Sequence, residues 1–121
     1  MPYIEKEKVS EIRKALKKAL PELKMSVVRR HHSEISVAIL EAPGKGWEKY
    51  DGKHEQVNQF YIKEHYENEP AVRKVLLKIH EIIVKDQREL VYDGDYGSVP
   101  TYYENIEIGK WDRPFKMKGA A

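Results

Sequence analysis

The 121-residue chain contains no cysteine. That removes disulfide scaffolds, thiolate zinc sites and cysteine nucleophiles in one step. No apolar run approaches the ~20 residues of a membrane-spanning helix. Residues 1–8 are charged and lead into no apolar segment, so no secretory leader is expected. Excess charge is also missing, with 22 basic residues against 20 acidic ones and a net of +2. Three catalytic signatures are absent as well. There is no His-Glu-x-x-His, no Gly-x-Ser-x-Gly elbow, and Gly44-Lys45-Gly46 lacks the spacing of a phosphate loop. These absences point to a cytoplasmic, non-enzymatic protein with no metal, no cofactor and no membrane partner.

What is present suits one globular domain. Hydrophobic residues make up 40% and charged residues 35% of the chain. A chain of this length buries roughly 65% of its unfolded surface without staples. Residues 5–20 read as a helix, because Val9, Ile12, Leu16 and Leu20 recur at steps of three and four and Pro21 stops the run. Residues 24–30 and 34–40 read as strands joined by a short polar turn, with Ile35, Val37 and Ile39 alternating. Residues 56–62 read as a third strand from Val57, Phe60, Tyr61 and Ile62. A second helix starts at Pro70, with Asn68 as its cap, and carries the stripe Val72, Leu76, Ile79, Ile83. Residues 86–100 read as irregular, perturbed only by a short strand at 90–92, and residues 101–108 as the last strand. Trp111 and Phe115 require burial. An ordered core over about 5–115 and a frayed tail at 116–121 are expected.

The order is α-β-β-β-α-β. It predicts an α+β fold, with two helices on one face of a mostly antiparallel sheet of about four strands. Ile12, Leu16, Val27, Val37, Leu76, Ile79 and Ile83 are the predicted core.

Two sets of residues stand out as candidate binding groups. Residues 1–32 hold nine basic and four acidic residues, whereas the remainder carries a net −3. Within that part Lys14, Lys17, Lys18, Arg29, Arg30, His31 and His32 form a possible nucleic-acid-binding set, whose alternative is a solvated face. The second set is tyrosine-rich. Eight of the twelve aromatics are tyrosine, and Tyr92, Asp93, Asp95, Tyr96 and Tyr103 fall in one glycine-punctuated segment. Tyrosine is a rigid amphipathic anchor favoured at recognition surfaces, and it equally well packs at a core rim. Residues 93–103 read as an ordered surface loop, anchored by Tyr96 or Tyr102 on a Trp111–Phe115 cluster. Asp93, Asp95 and Glu104 echo calcium-loop spacing, but Gly97 stands where an oxygen ligand belongs, so an Asp-Gly turn is the simpler reading.

Several stretches together resemble a domain associated with large polyvalent proteins of phages and conjugative elements. They are Val57-Asn58-Gln59-Phe60-Tyr61-Ile62, then Asp93-Gly94-Asp95-Tyr96-Gly97 with Pro100 and Tyr102-Tyr103, and Ile108-Gly109-Lys110-Trp111-Asp112-Arg113-Pro114-Phe115. The opening Ile12-Arg13-Lys14-Ala15-Leu16-Lys17 with Ser26-Val27 is similar too. The resemblance implies an α+β binding module of a mobile genetic element. It also implies a small effector acting against host defence, with a protein or nucleic-acid partner, and it supplies no catalytic residues to carry over.

Overall fold

The computed structural model describes residues 3–43, 46–85, 91–93, 97–99 and 102–118. Helix α1 spans Lys6–Ala19 and buries Val9, Ile12 and Leu16. Leu20 leaves helical geometry one residue before Pro21, and its N–H still reaches the Leu16 carbonyl at 2.8 Å. Strand β1, Lys24–Arg30, pairs antiparallel with β2, Glu34–Pro43, in the register Val27↔Val37 and Arg30↔Glu34. Strand β2 therefore runs three residues beyond its expected end.

The third strand is shorter than the sequence suggests. Strand β3 is only Glu55–Val57, and residues 62–65 form a helical turn, α2, Ile62–His65. The reason lies at Asn58. Its side-chain oxygen accepts the Phe60 N–H at 3.0 Å and its carbonyl accepts the Tyr61 N–H at 3.0 Å, which turns the chain out of the sheet. Phe60 and Tyr61 are β-formers by composition but lie exposed after the strand has ended.

Helix α3, Pro70–Val84, matches expectation, with Pro at its first turn and Val72, Leu76, Ile79 and Ile83 buried. The residue at its cap is Glu69 rather than Asn68, and no side chain caps the helix. Strands β4, Val91–Asp93, and β5, Gly97–Val99, pair with each other. The short strand expected at 90–92 is thus present as β4, and the segment otherwise read as irregular holds a second strand, β5, paired with it. Strand β6, Tyr103–Ile108, inserts between β2 and β3. Strand β7, Lys116–Lys118, pairs with the end of β2, so residues 116–118 are not a frayed tail.

The fold is α+β with a mixed five-stranded sheet, and its main path runs β1-β2-β6-β3. Parallel and antiparallel pairings are balanced rather than mostly antiparallel. The chain crosses over through α3 and re-enters beside β2 from the same end, which makes the β2–β6 and β2–β7 pairs parallel. Helix α1 packs on β1 and on α3, and α3 packs on β6, so both helices cover one face. All seven predicted core residues are buried in that layer. Gly109, at φ +73°, turns the chain out at the end of β6. The excursion returns at Phe115, whose ring stacks on Trp47 at 5.5 Å.

Candidate functional site

Alternation along β6 decides what the second face of the sheet carries. Ile106 and Ile108 point into the helix layer, so Asn105 and Glu107 point away from it. By the same rule Arg30, Ser36, Ala38 and Gln56 share that second face. Glu107 is only 6% exposed. One of its oxygens lies 2.9 Å from His54 Nε2 and the other 3.9 Å from the Arg30 guanidinium. Arg30 reaches Glu107 across β2, over the small side chains of Ser36 and Ala38. Beside this cluster Asn105 Nδ2 donates to Ser36 Oγ at 3.0 Å, and Gln56 Nε2 donates to the Asn105 side-chain oxygen and the Ile106 carbonyl. Both carboxylate oxygens of Glu107 are engaged, so the cluster holds Arg30 and His54 in place on the sheet.

One end of the sheet gathers four exposed aromatics. The β1–β2 turn puts His31 and His32 at φ 52° and 61°, with the Ser33 N–H donating to the Arg30 carbonyl at 3.1 Å. Histidine enters this left-handed region more readily than most side chains, yet two in succession still cost of order 1–3 kcal/mol each. The neighbouring backbone is tied to the turn. The Ile4 N–H donates to the His32 carbonyl at 2.9 Å, and the Tyr103 N–H donates to the Ser33 carbonyl at 2.7 Å. On the far side of β6, Gln59 Nε2 donates to the Glu104 carbonyl at 3.2 Å. Tyr3, Tyr103, Phe60 and Tyr61 are therefore brought to the same end, and all four are exposed. Tyr61 stacks on His65 at 5.7 Å between ring centres. Trp111, 84% exposed, sits at the opposite end in the turn closed by Lys110 and Arg113.

The structure divides the predicted basic set. Arg29, Arg30, His31 and His32 lie at the aromatic end, where α1 begins. Lys14, Lys17 and Lys18 lie in the second half of α1, with Lys18 about 18 Å along the axis from Lys6. Both arginines of the turn are already engaged. The Arg29 guanidinium donates to the Ile4 carbonyl at 3.4 Å, and Arg30 faces Glu107.

Of the tyrosine-rich set, Tyr103 is exposed at the aromatic end. Tyr92 and Asp93 belong to β4, and their side chains, together with Asp95 and Tyr96, lie outside the described residues. The predicted anchor is corrected. Tyr102 is buried and its hydroxyl donates to the Ile83 carbonyl at the end of α3. Trp111 is in solvent, so no Trp111–Phe115 cluster forms, and Trp47 takes its place against Phe115. Tyr3, Phe60, Tyr61 and Glu107 were not singled out as site residues from sequence. The available signal was the phase of β6, which sends a lone glutamate to the face opposite two isoleucines.

A second polar cluster lies in the helix layer. The Tyr50 hydroxyl donates to Glu69 at 2.7 Å, and the Tyr66 hydroxyl donates to Glu55. Lys49 approaches Glu69 at 3.4 Å and lies over the Tyr50 ring. Both phenols are pushed far above the usual tyrosine range. Burial is the main cause, followed by the hydrogen bond to a carboxylate and then by the charge of the neighbouring glutamates.

Among the described residues no group of three or more His, Asp or Glu is placed to hold a metal ion, and no helix is long and apolar enough to cross a membrane. The fold and this surface define an α+β chain with helices on one face and an aromatic, histidine-bearing end. No protein-family model, curated protein or solved structure matches it.

Proposed function

We propose that the chain is a non-enzymatic binding module of a mobile genetic element, a small effector acting against host defence that takes a host protein on the aromatic end of its sheet. The observation that carries the binding reading is the gathering of Tyr3, Phe60, Tyr61 and Tyr103 beside the Arg30–His31–His32 turn. Exposed apolar patches with a polar rim mark interaction sites, and Tyr, Phe and Arg are enriched at their centres. A protein partner suits the charge pattern, because Arg29 and Arg30 already have acceptors within the chain and Lys14, Lys17 and Lys18 lie toward the other end. The mobile-element setting rests on the sequence resemblance. One observation favours a nucleic-acid partner instead. His31 and His32 are exposed in a left-handed turn, beside rings able to stack on bases.

Capture on the immobilised chain from host-cell lysate, with and without nuclease, tests this reading. The expected result is a specific protein retained after nuclease treatment and at about 1 M salt, where the screening length is about 3 Å. Loss of all bound material on nuclease treatment overturns it in favour of nucleic acid. So does a log–log salt slope near −0.9 per neutralised phosphate.

A further inference from the structure

We infer that the groove between α1 and α3 is a second docking surface, built for an acidic amphipathic helix. The two helices run antiparallel. The start of α1 and the end of α3 both lie at the β1–β2 turn, through the Ile4–His32, Tyr103–Ser33 and Tyr102–Ile83 hydrogen bonds. Each helix contributes one stripe at helical spacing. On α1 it runs through Ile12, Ala15 and Ala19, and on α3 it centres on Ile82. They floor a cleft of about 710 Å³. Ala15 and Ala19 are exposed, so a backbone can approach closely there. The floor is apolar and its length, about 11 Å between Lys78 and Lys85, matches two turns of a docked helix.

The rim decides which helix fits. Lys18, Lys78 and Lys85 are exposed along it. The single acidic residue on the rim, Glu11, is paired with Lys8 at 3.0 Å. Lys78 pairs with Glu81 at 3.7 Å, and Glu81 does not line the groove. A partner with Leu-type side chains at i, i+3, i+4 and i+7, flanked by carboxylates, would bury its stripe on the floor and place its charges on three lysines. Nucleic acid would leave the floor uncovered. A second copy docking through the same surface would set lysine against lysine.

The probe is a fluorescent synthetic helix of about 15 residues, with leucine on one stripe and glutamate elsewhere. Its lysine-for-glutamate counterpart is the control. Anisotropy should report binding of the acidic peptide alone. The exposed charge variant Lys18→Glu with Lys85→Glu should weaken it by about tenfold or more. Ala15→Arg should do the same by filling the floor, and thermal melts establish that each variant folds. If Ala15→Arg does not fold, the charge variant alone decides. Tyr103→Ala should leave the affinity unchanged, so failure at this groove and failure at the aromatic end read out separately. Failure of the acidic peptide to bind, equal binding of both peptides, or affinity indifferent to the charge variant overturns the inference. Concentration-dependent self-association that Ala15→Arg abolishes overturns it in favour of a second copy.

Discussion

Gly109→Ala is expected to destabilise the protein by about 3–5 kcal/mol, a large part of the total stability of a domain this size. The residue sits at φ +73°, and an added Cβ would stand 2.6 Å from the Lys53 carbonyl oxygen and 2.6 Å from the Phe115 nitrogen. Both neighbours are backbone, and they are bonded to each other at 2.9 Å. No side-chain rotation relieves that clash. The left-handed geometry costs about 1–2 kcal/mol, and breaking a buried backbone bond adds about 1–3 kcal/mol. The Phe115 ring would also move off Trp47. Gly52 provides the comparison, with φ +77° and nothing near its added Cβ. Gly52→Ala should therefore cost only the conformational 1–2 kcal/mol or so. Urea unfolding of the two variants checks this. Equal midpoints would show that the close approach at Gly109 carries no energetic weight.

Stability should fall steeply above about pH 10, the ordinary tyrosine pKa. Tyr50 and Tyr66 hold their protons in the folded state well past the point where the unfolded chain loses them. Above that pH the native state binds more protons than the unfolded one, so the stability of folding decreases as pH rises. Their contribution is fully present below the unfolded value. It then declines by up to about 1.4 kcal/mol per pH unit for each phenol, or about 2.7 for both. Denaturant titrations across the alkaline range measure the slope, and phenolate absorbance follows the tyrosines directly. Tyr66→Phe should flatten the slope by about half. Full titration of all eight tyrosines near pH 10 in a chain that stays folded would contradict the burial of this pair.

The helix layer was legible because its signal is periodic. Ile12 and Leu16 on α1, and Leu76, Ile79 and Ile83 on α3, recur at helical spacing and need one common sheet face to cover them. The insertion of β6 was not legible, since strand order follows from a crossover through α3 that no local pattern encodes. Phe60 and Tyr61 misled for a related reason. Their composition favours strand, while one Asn58 side chain captures the Phe60 N–H and ends it. Trp111 was read as core from its size alone. The turn closed by Lys110 and Arg113 instead holds it in solvent and sends Phe115 inward. Of the candidate site, the histidine turn was visible as a polar break between two alternating runs. Its proximity to Tyr3, Tyr103 and Phe60 depends on hydrogen bonds between segments far apart in sequence, such as the Tyr103–Ser33 backbone bond and the Gln59–Glu104 bond, which only the fold supplies.

The central claim is that the aromatic end of the sheet binds a protein. Its most direct test is quantitative capture from host lysate by the wild-type chain and by the Phe60→Ala, Tyr103→Ala double variant. Phe60 is 75% exposed and Tyr103 50% exposed, so removing their rings should leave the thermal midpoint within a degree or so. Anchor residues at an interface are worth about 2 kcal/mol or more each, so affinity for the partner should fall by roughly a thousandfold. A protein held by the wild-type chain should be lost from the equally folded variant. Undiminished recovery on the double variant would contradict it.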